Sequence, residues 1–256
     1  MSRRLDVALR PHPLDAATAV AIVVDVIRAS TSLVTLVERG AGPIYIAQSV
    51  EAGRRAAAGW RAPAGAPAAG PDRRPLLIGE EYGLPPEGFD YGNSPAILAG
   101  APVAGREVIF ATTNGAPALH AAAGAGIVLV GCLRNAAAVA AAAWAAAGEG
   151  ATIIIVCAGR SGGSTGWFGL DDLYAAGVIV ERIKRLGSVS LLDGAEAAAL
   201  VASAEPVPLQ LFCRTAAGRH VTGLGLEADV VYSADVDRSR AVPKVGEELF
   251  LLRERA

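Results

Sequence analysis

Short apolar runs that each give way to helix-spaced residues recur along this chain, and that recurrence restricts its fold more than any other feature. Residues 20–24 form a continuous apolar run ending at Asp25, and residues 30–38 then place apolar side chains at helical spacing. The same change of period follows 44–47 (helix from about 50), 107–111 (from about 116), 127–130 (136–147) and 152–157 (about 170–186). Strands that are apolar throughout belong in parallel sheets covered on both faces. The fold class read from this pattern is α/β: a three-layer α/β/α sandwich with a largely parallel sheet. It is expected as one domain over residues 1–256, with two related lobes at about 1–125 and 126–256. Residues 60–75 are almost entirely Ala, Pro, Gly and Arg, have no period to pack, and read as a surface insertion. After residue 187 the pattern loosens into an Ala-rich helix from about 195, a segment broken by Pro206 and Pro208, and a last strand at 248–252.

Composition narrows the function. A chain of 256 residues with 52% hydrophobic and 19% charged residues buries a full core and is not a disordered segment. A net charge of −2 provides no basic field for a nucleic acid, which leaves a small ligand as the expected partner. The apolar runs fall far short of the roughly 20 residues that cross a bilayer, so no membrane span is expected. Residues 1–13 carry charges and prolines where a secretory signal would be apolar. Cys132, Cys157 and Cys213 are odd in number and widely spaced, which gives neither a disulfide framework nor a Cys-x-x-Cys metal site and points to the cytoplasm. His12, His120 and His220 lack metal-ligand spacing and receive no role. Homo-oligomerisation is compatible with the chain, although no heptad seam marks an interface.

In a parallel sheet ligands bind beyond the carboxyl ends of the strands, where helix N-termini present unpaired N–H groups. The residues at those positions are Asp25, Arg28, Ser30 and Thr31; Glu80 and Glu81; Thr112, Thr113, Asn114 and Gly115; and Gly159 leading through a glycine-rich loop to Asp171 and Asp172. Asp25 ends an apolar strand, where a carboxylate either meets a cation or caps the next helix. Arg28 is placed to clamp an anion or to pair with Asp25 or Glu80. Glu80 adds a second carboxylate to an oxygen-rich set of the kind Mg²⁺ prefers. In the 159–169 loop Gly162, Gly163 and Gly166 let backbone N–H groups turn toward an anion, or serve as a plain linker. Asn93 and Ser94 fall in a turn-rich segment with Ser94-Pro95 at an expected helix start.

Four of these motifs, in order, resemble the family of 2-phosphosulfolactate phosphatases. They are residues 23–31 around Asp25-Val-Ile-Arg28-Ala-Ser30-Thr31; Gly79-Glu80 with residues 88–95; Thr112-Thr113-Asn114-Gly115; and Cys157-Ala158-Gly159 with Asp171-Asp172. Val242-Pro243 extends the resemblance nearly to the end of the chain. It departs at residues 60–75 and at a long 160–169 loop. The resemblance implies a Mg²⁺-dependent phosphatase that converts 2-phosphosulfolactate to sulfolactate and phosphate.

On that reading Asp25 and Glu80, with Asp171 or Asp172, hold the metal. Arg28 and Asn114 act with Asp25 as the catalytic set by binding phosphoryl oxygens. Ser30, Thr31, Thr113, Asn93, Ser94, Gly159 and Arg160 contact the rest of a small anionic phospho-acid. Attack by water and an aspartyl-phosphate on Asp25 are both open, and Ile27 stands where a second aspartate would complete an Asp-x-Asp pair. A related phospho-carboxylic acid as substrate, or a non-catalytic anion sensor, are the other readings. A nucleotide-binding oxidoreductase is disfavoured because no Gly-x-Gly-x-x-Gly follows the first apolar run.

Overall fold

The computed structural model describes residues 2–60, 74–160 and 167–252, so most of the 60–75 insertion and the interior of the 159–169 loop lie outside the described residues. The described strands form two five-stranded sheets. The first contains β1 (Arg3–Ala8), β2 (Thr18–Val24), β7 (Ile127–Gly131), β8 (Thr152–Cys157) and β9 (Val189–Leu191), in the spatial order β7-β2-β8-β1-β9. The second contains β3 (Ile44–Ala47), β4 (Leu76–Gly79), β5 (Tyr91–Gly92), β6 (Val108–Ala111) and β10 (Leu249–Leu251), in the order β10-β3-β6-β4-β5. Every strand pairing within them is parallel, as the apolar runs require.

The expected α/β class with parallel pairing and covering helices is what the chain adopts, but the strands are shared between two sheets. Neither sheet stops near residue 125. The first draws β1 and β2 from one half and β7 to β9 from the other, and β10 returns to close a sheet otherwise built from residues 44–111. One apolar core joins them. Leu5, Ile22, Val24 and Ile155 of the first sheet belong to the same cluster as Ile44, Ile46, Ile78 and Phe110 of the second. The alternate residues Ala47, Leu77, Ile109 and Ala111 form a smaller cluster on the opposite face of the second sheet.

Helices cover these faces. In chain order they are α1 (Ala29–Glu38), α2 (Val50–Ala58), α3 (Pro95–Leu98), α4 (Gly115–Ala122), α5 (Ala136–Ala146), α6 (Leu170–Lys184) and α7 (Asp193–Ala204). α2 packs on β3, β4 and β6 of the second sheet, while α5 and α6 lie on the first. α5 is almost all alanine, yet it buries one stripe, Ala136, Val139, Ala140 and Ala143, at helical spacing. Three short helices follow the proline-broken segment: α8 (Pro208–Arg214), α9 (Ala216–Gly223) and α10 (Glu227–Ser233). Pro208 opens α8 at its first turn, where a missing N–H costs nothing.

α6 and α7 cross with their backbones close together. A Cβ at Gly177 would stand 2.0 Å from the Ala198 carbonyl oxygen and 2.8 Å from the Ala202 Cβ. Gly177→Ala gains about 1 kcal/mol of helix propensity but forces backbone apart in a packed core, at a cost of about 1–3 kcal/mol. The packing term wins, so this variant should unfold at lower urea concentration than the parent. An equal or higher midpoint would show that the two helices do not meet here.

Candidate active site

Both sheets aim their carboxyl edges at one cavity of about 250 Å³. β2 delivers Asp25, Ile27 and Arg28, and β8 delivers Gly159 and Arg160, while β4 and β6 of the other sheet deliver Glu80 and the pair Thr113, Asn114. Gly169, Asp171 and Asp172 line it from the start of α6, Asn93 from the turn before α3, and Ala217, His220 and Val221 from α9. α1, α4 and α6 all begin at this cavity, so their unpaired N–H groups and dipoles favour negative charge beside them.

The turn after β2 is locked by its own hydroxyls. Ser30 Oγ accepts from the Asp25 N–H at 2.7 Å and donates to the Val23 carbonyl, and Thr31 Oγ1 donates to the Val26 carbonyl at 2.8 Å. Ser30 and Thr31 therefore shape the turn and do not line the cavity, contrary to the expectation that they reach substrate. Ser94 is likewise occupied elsewhere: it caps α3 and donates to Asp229 at 2.5 Å. Gly115 is required for close approach rather than flexibility. A Cβ there would stand 2.5 Å from the Ala29 Cβ and 2.8 Å from Asp25 Oδ2, so only glycine lets α4 start against α1 and the Asp25 carboxyl.

Two of the acids join loops through backbone amides. Glu80 accepts from Thr113 N at 2.7 Å and Gly83 N at 2.8 Å. Asp172 accepts from Val26 N at 2.8 Å and Gly159 N at 3.0 Å. Asp25 accepts only one long bond, from Ala29 N at 3.3 Å through Oδ1, which leaves Oδ2 without a donor among the described residues. Asp171 and Asp172 both line the cavity.

Burial is the main cause that pushes the Asp25 carboxyl up to about 7, with the charges of Glu80 and then Asp171 adding to it. Asp171 is raised to about 6 by burial, opposed by its own backbone N–H and by Arg160. Asp172 rises well above the usual carboxylate range because it is buried and faces Asp171 and Asp25. Carboxyls so arranged hold protons or require a cation. Among the described residues, however, no three His, Cys, Asp or Glu side chains are gathered tightly enough to hold one ion. The acids share a cavity without a formed coordination shell.

Arg28 is only 5% exposed, and it pairs with neither of the acids expected for it. Its Nη1 donates to Asp229 Oδ2 at 3.0 Å and its Nη2 to the Gly83 carbonyl at 2.5 Å. Its remaining N–H groups have no partner among the described residues. Arg160 is held in an antiparallel bridge with Trp167 that joins the two ends of the glycine-rich loop, whose inner glycines and hydroxyls lie outside the described residues. Asn93 gives its main-chain carbonyl to Ser32, while its side-chain Oδ1 is buried and unpartnered among the described residues. Asn114 caps α4 without a side-chain cap bond, because Thr112 Oγ1 takes the Ala116 N–H.

Asp229 and His220 are the residues that sequence reasoning missed. His220 Nε2 lies 3.2 Å from the Tyr82 carbonyl at the cavity wall. Both belong to the loosely patterned region after residue 187, and no local spacing distinguishes them from surface polar residues.

The chain is also similar to known proteins. The family model described as 2-phosphosulpholactate phosphatase matches residues 8–248. A probable 2-phosphosulfolactate phosphatase of Thermus thermophilus is 42% identical over 255 residues, covering 98% of this chain and 99% of the relative. One of Deinococcus radiodurans is 41% identical, covering 95% and 92%, and one of Gloeobacter violaceus is 34% identical, covering 88% and 87%. The chain belongs to the 2-phosphosulpholactate phosphatase family and is an enzyme of the phosphate-ester hydrolase class.

Proposed function

We propose that the chain hydrolyses 2-phosphosulfolactate to sulfolactate and phosphate with the help of Mg²⁺, in the cytoplasm. The observation that carries this reading is the burial of Asp25, Glu80, Asp171 and Asp172 around one cavity at the mouths of α1, α4 and α6. A phosphate dianion repels any nucleophile, so hydrolysis needs positive charge and fixed donors around the transferring group. The described cavity lining holds those four carboxyls against the guanidinium groups of Arg28 and Arg160. Left alone, such a surface repels a phospho-acid. The donor set is all oxygen and anionic, which suits a hard divalent cation.

Mg²⁺ is usually held by one or two carboxylates completed by waters and substrate oxygens rather than by a closed protein shell. Asp25, Glu80, Asp171 and Asp172 are therefore the residues from which its carboxylates would come, and Asp25 Oδ2 is an oxygen that no donor occupies among the described residues. Bound there, Mg²⁺ would supply charge neutralisation at the phosphoryl oxygens and a lowered pKa for a water. The chain does the rest. Arg28 presents its uncommitted N–H groups to phosphoryl oxygens, and the N-termini of α1 and α4 add backbone donors. Asn114 and Thr113, between β6 and α4, border the same end of the cavity. Arg160 lies on the α6 side, where it can meet the carboxylate or sulfonate of the substrate. A cavity of about 250 Å³ suits a small ligand such as a three-carbon acid.

Phosphate release measured over 2-phosphosulfolactate, 2-phospholactate and phosphoglycerate, with and without Mg²⁺, tests substrate and metal together. Turnover is expected only with Mg²⁺ and highest for the sulfonated acid; equal rates in chelator, or preference for phosphoglycerate, would remove the reading. Asp25→Asn should lower kcat by at least about 10²–10³-fold, the range seen when one electrostatic group leaves a site, with an unchanged circular dichroism spectrum.

The acid cluster also has a pH signature. The Asp25 carboxyl stands at about 7 in the folded chain against 3.8 as a free group. Its raised value means that its stability contribution is complete below 3.8 and is lost as pH rises through about 7. In chelator, the melting temperature should therefore fall between pH 5 and pH 8, and Asp25→Asn should flatten that fall. A variant with the same slope as the parent would count against burial of this carboxyl.

A further inference from the structure

Asp229 is 1% exposed and sits on α10, far along the chain from the motifs that build the cavity. Its two oxygens are fully used. Oδ2 accepts from Arg28 Nη1 at 3.0 Å, and Oδ1 accepts from Ser94 Oγ at 2.5 Å and from Ala96 N at 3.2 Å. The second anchor of Arg28, the Gly83 carbonyl, belongs to a turn that is itself fixed. Gly83 N donates to Glu80, and a Cβ at Gly83 would stand 2.6 Å from Leu224 and 2.9 Å from His220. Helices α9 and α10 thus back both acceptors of the guanidinium.

These contacts decide where a mobile cation can go. Asp25, Glu80, Asp171 and Asp172 surround the same cavity, and the charge of Arg28 is near enough to lower the Asp25 pKa. A long, flexible arginine with no other partner would turn toward that cluster and neutralise it.

We propose that Asp229 is a positioning residue: it holds the Arg28 guanidinium off the carboxyl cluster, so that the cluster stays available to a divalent cation and the free N–H groups of Arg28 stay available to a phospho-acid. This rests on the phosphatase reading above. Asp229 acts through Arg28 and touches neither substrate nor cation. Removing its charge releases Arg28 to compete with the cation, which a purely structural role would not do.

The test uses Asp229→Asn, Arg28→Met and the double variant. Mg²⁺ affinity is measured by calorimetry in the absence of substrate, and kcat and KM with 2-phosphosulfolactate. Asp229→Asn is expected to weaken Mg²⁺ binding and to lower kcat/KM, each by about 10–100-fold, the usual cost of losing an outer-shell partner. In the Arg28→Met background the same change should alter Mg²⁺ affinity by less than about 2-fold, because coupled residues are not additive. Unchanged Mg²⁺ affinity in Asp229→Asn, or an equal loss in the Arg28→Met background, overturns the proposal. Should Asp229→Asn fail to fold, the comparison of Arg28→Met with the double variant decides it alone: equal Mg²⁺ affinities support the proposal and a further loss sinks it. A parent protein that binds Mg²⁺ but releases no phosphate would sink the substrate reading, while the Mg²⁺ arm would still judge Asp229.

Discussion

Removing water from four carboxyl groups around the cavity that both sheets face is the condition on which the rest of this structure depends. An ionised carboxylate in an apolar surrounding is costly unless a cation or donors compensate it. Here the compensation is divided. Backbone amides satisfy both oxygens of Glu80 and of Asp172, whereas Asp25 keeps an oxygen without a donor among the described residues, and Asp171 leans on its own backbone N–H and then on Arg160. Asp25 also stands where its neighbours' charges meet. Glu80 and Asp171 raise it, and it in turn raises Asp172.

That division ties fold to chemistry. Glu80, at the end of β4, accepts from the loop after β6, so it links neighbouring strands of the second sheet across the cavity floor. Asp172, at the start of α6, accepts from the loops after β2 and β8 and does the same for the first. Each acid therefore sets the shape of the mouth it charges. The cost of mispositioning one of them falls on several backbone amides at once. Gly115 completes the arrangement, because only a residue without a Cβ brings the α4 terminus against Asp25.

Much of this was legible in the sequence. The apolar runs at β2, β6, β7 and β8 and the helices after them follow from hydrophobic period alone, since both faces of a parallel strand are buried. The carboxyl-edge rule then placed Asp25, Glu80, Thr113, Asn114, Gly159, Arg160, Asp171 and Asp172 together without knowing the sheet order. What failed to show had a physical reason in each case. β1 alternates Leu5 and Val7 with charged Arg4 and Asp6, a half-buried pattern that looks like a polar terminus. The division into two sheets depends on register and on β10 crossing back, and neither leaves a local trace. Ser30, Thr31 and Ser94 carry hydroxyls suited to phosphate, but the backbone groups of their own turns, and Asp229 in the case of Ser94, claimed them first.

The Arg28 pairing shows why a site of this kind needs distant sequence. Arg28 and Asp229 are 201 residues apart in the chain, and the pair is desolvated on both sides. Such a pair contributes little net stability compared with apolar residues of the same size, because the desolvation cost offsets most of the attraction. It does confer a fixed direction. Arg28 brings a fixed positive charge to the cavity, while Asp25 and Asp171 bring carboxyls whose raised pKa values favour a proton or a cation beside them. A phospho-acid and a divalent cation need those two characters a few ångströms apart, and a free arginine would erase the difference between them. Asp229 on α10, and His220 on α9 with Leu224 just after it, packed against Gly83, are what give the Arg28 guanidinium that direction.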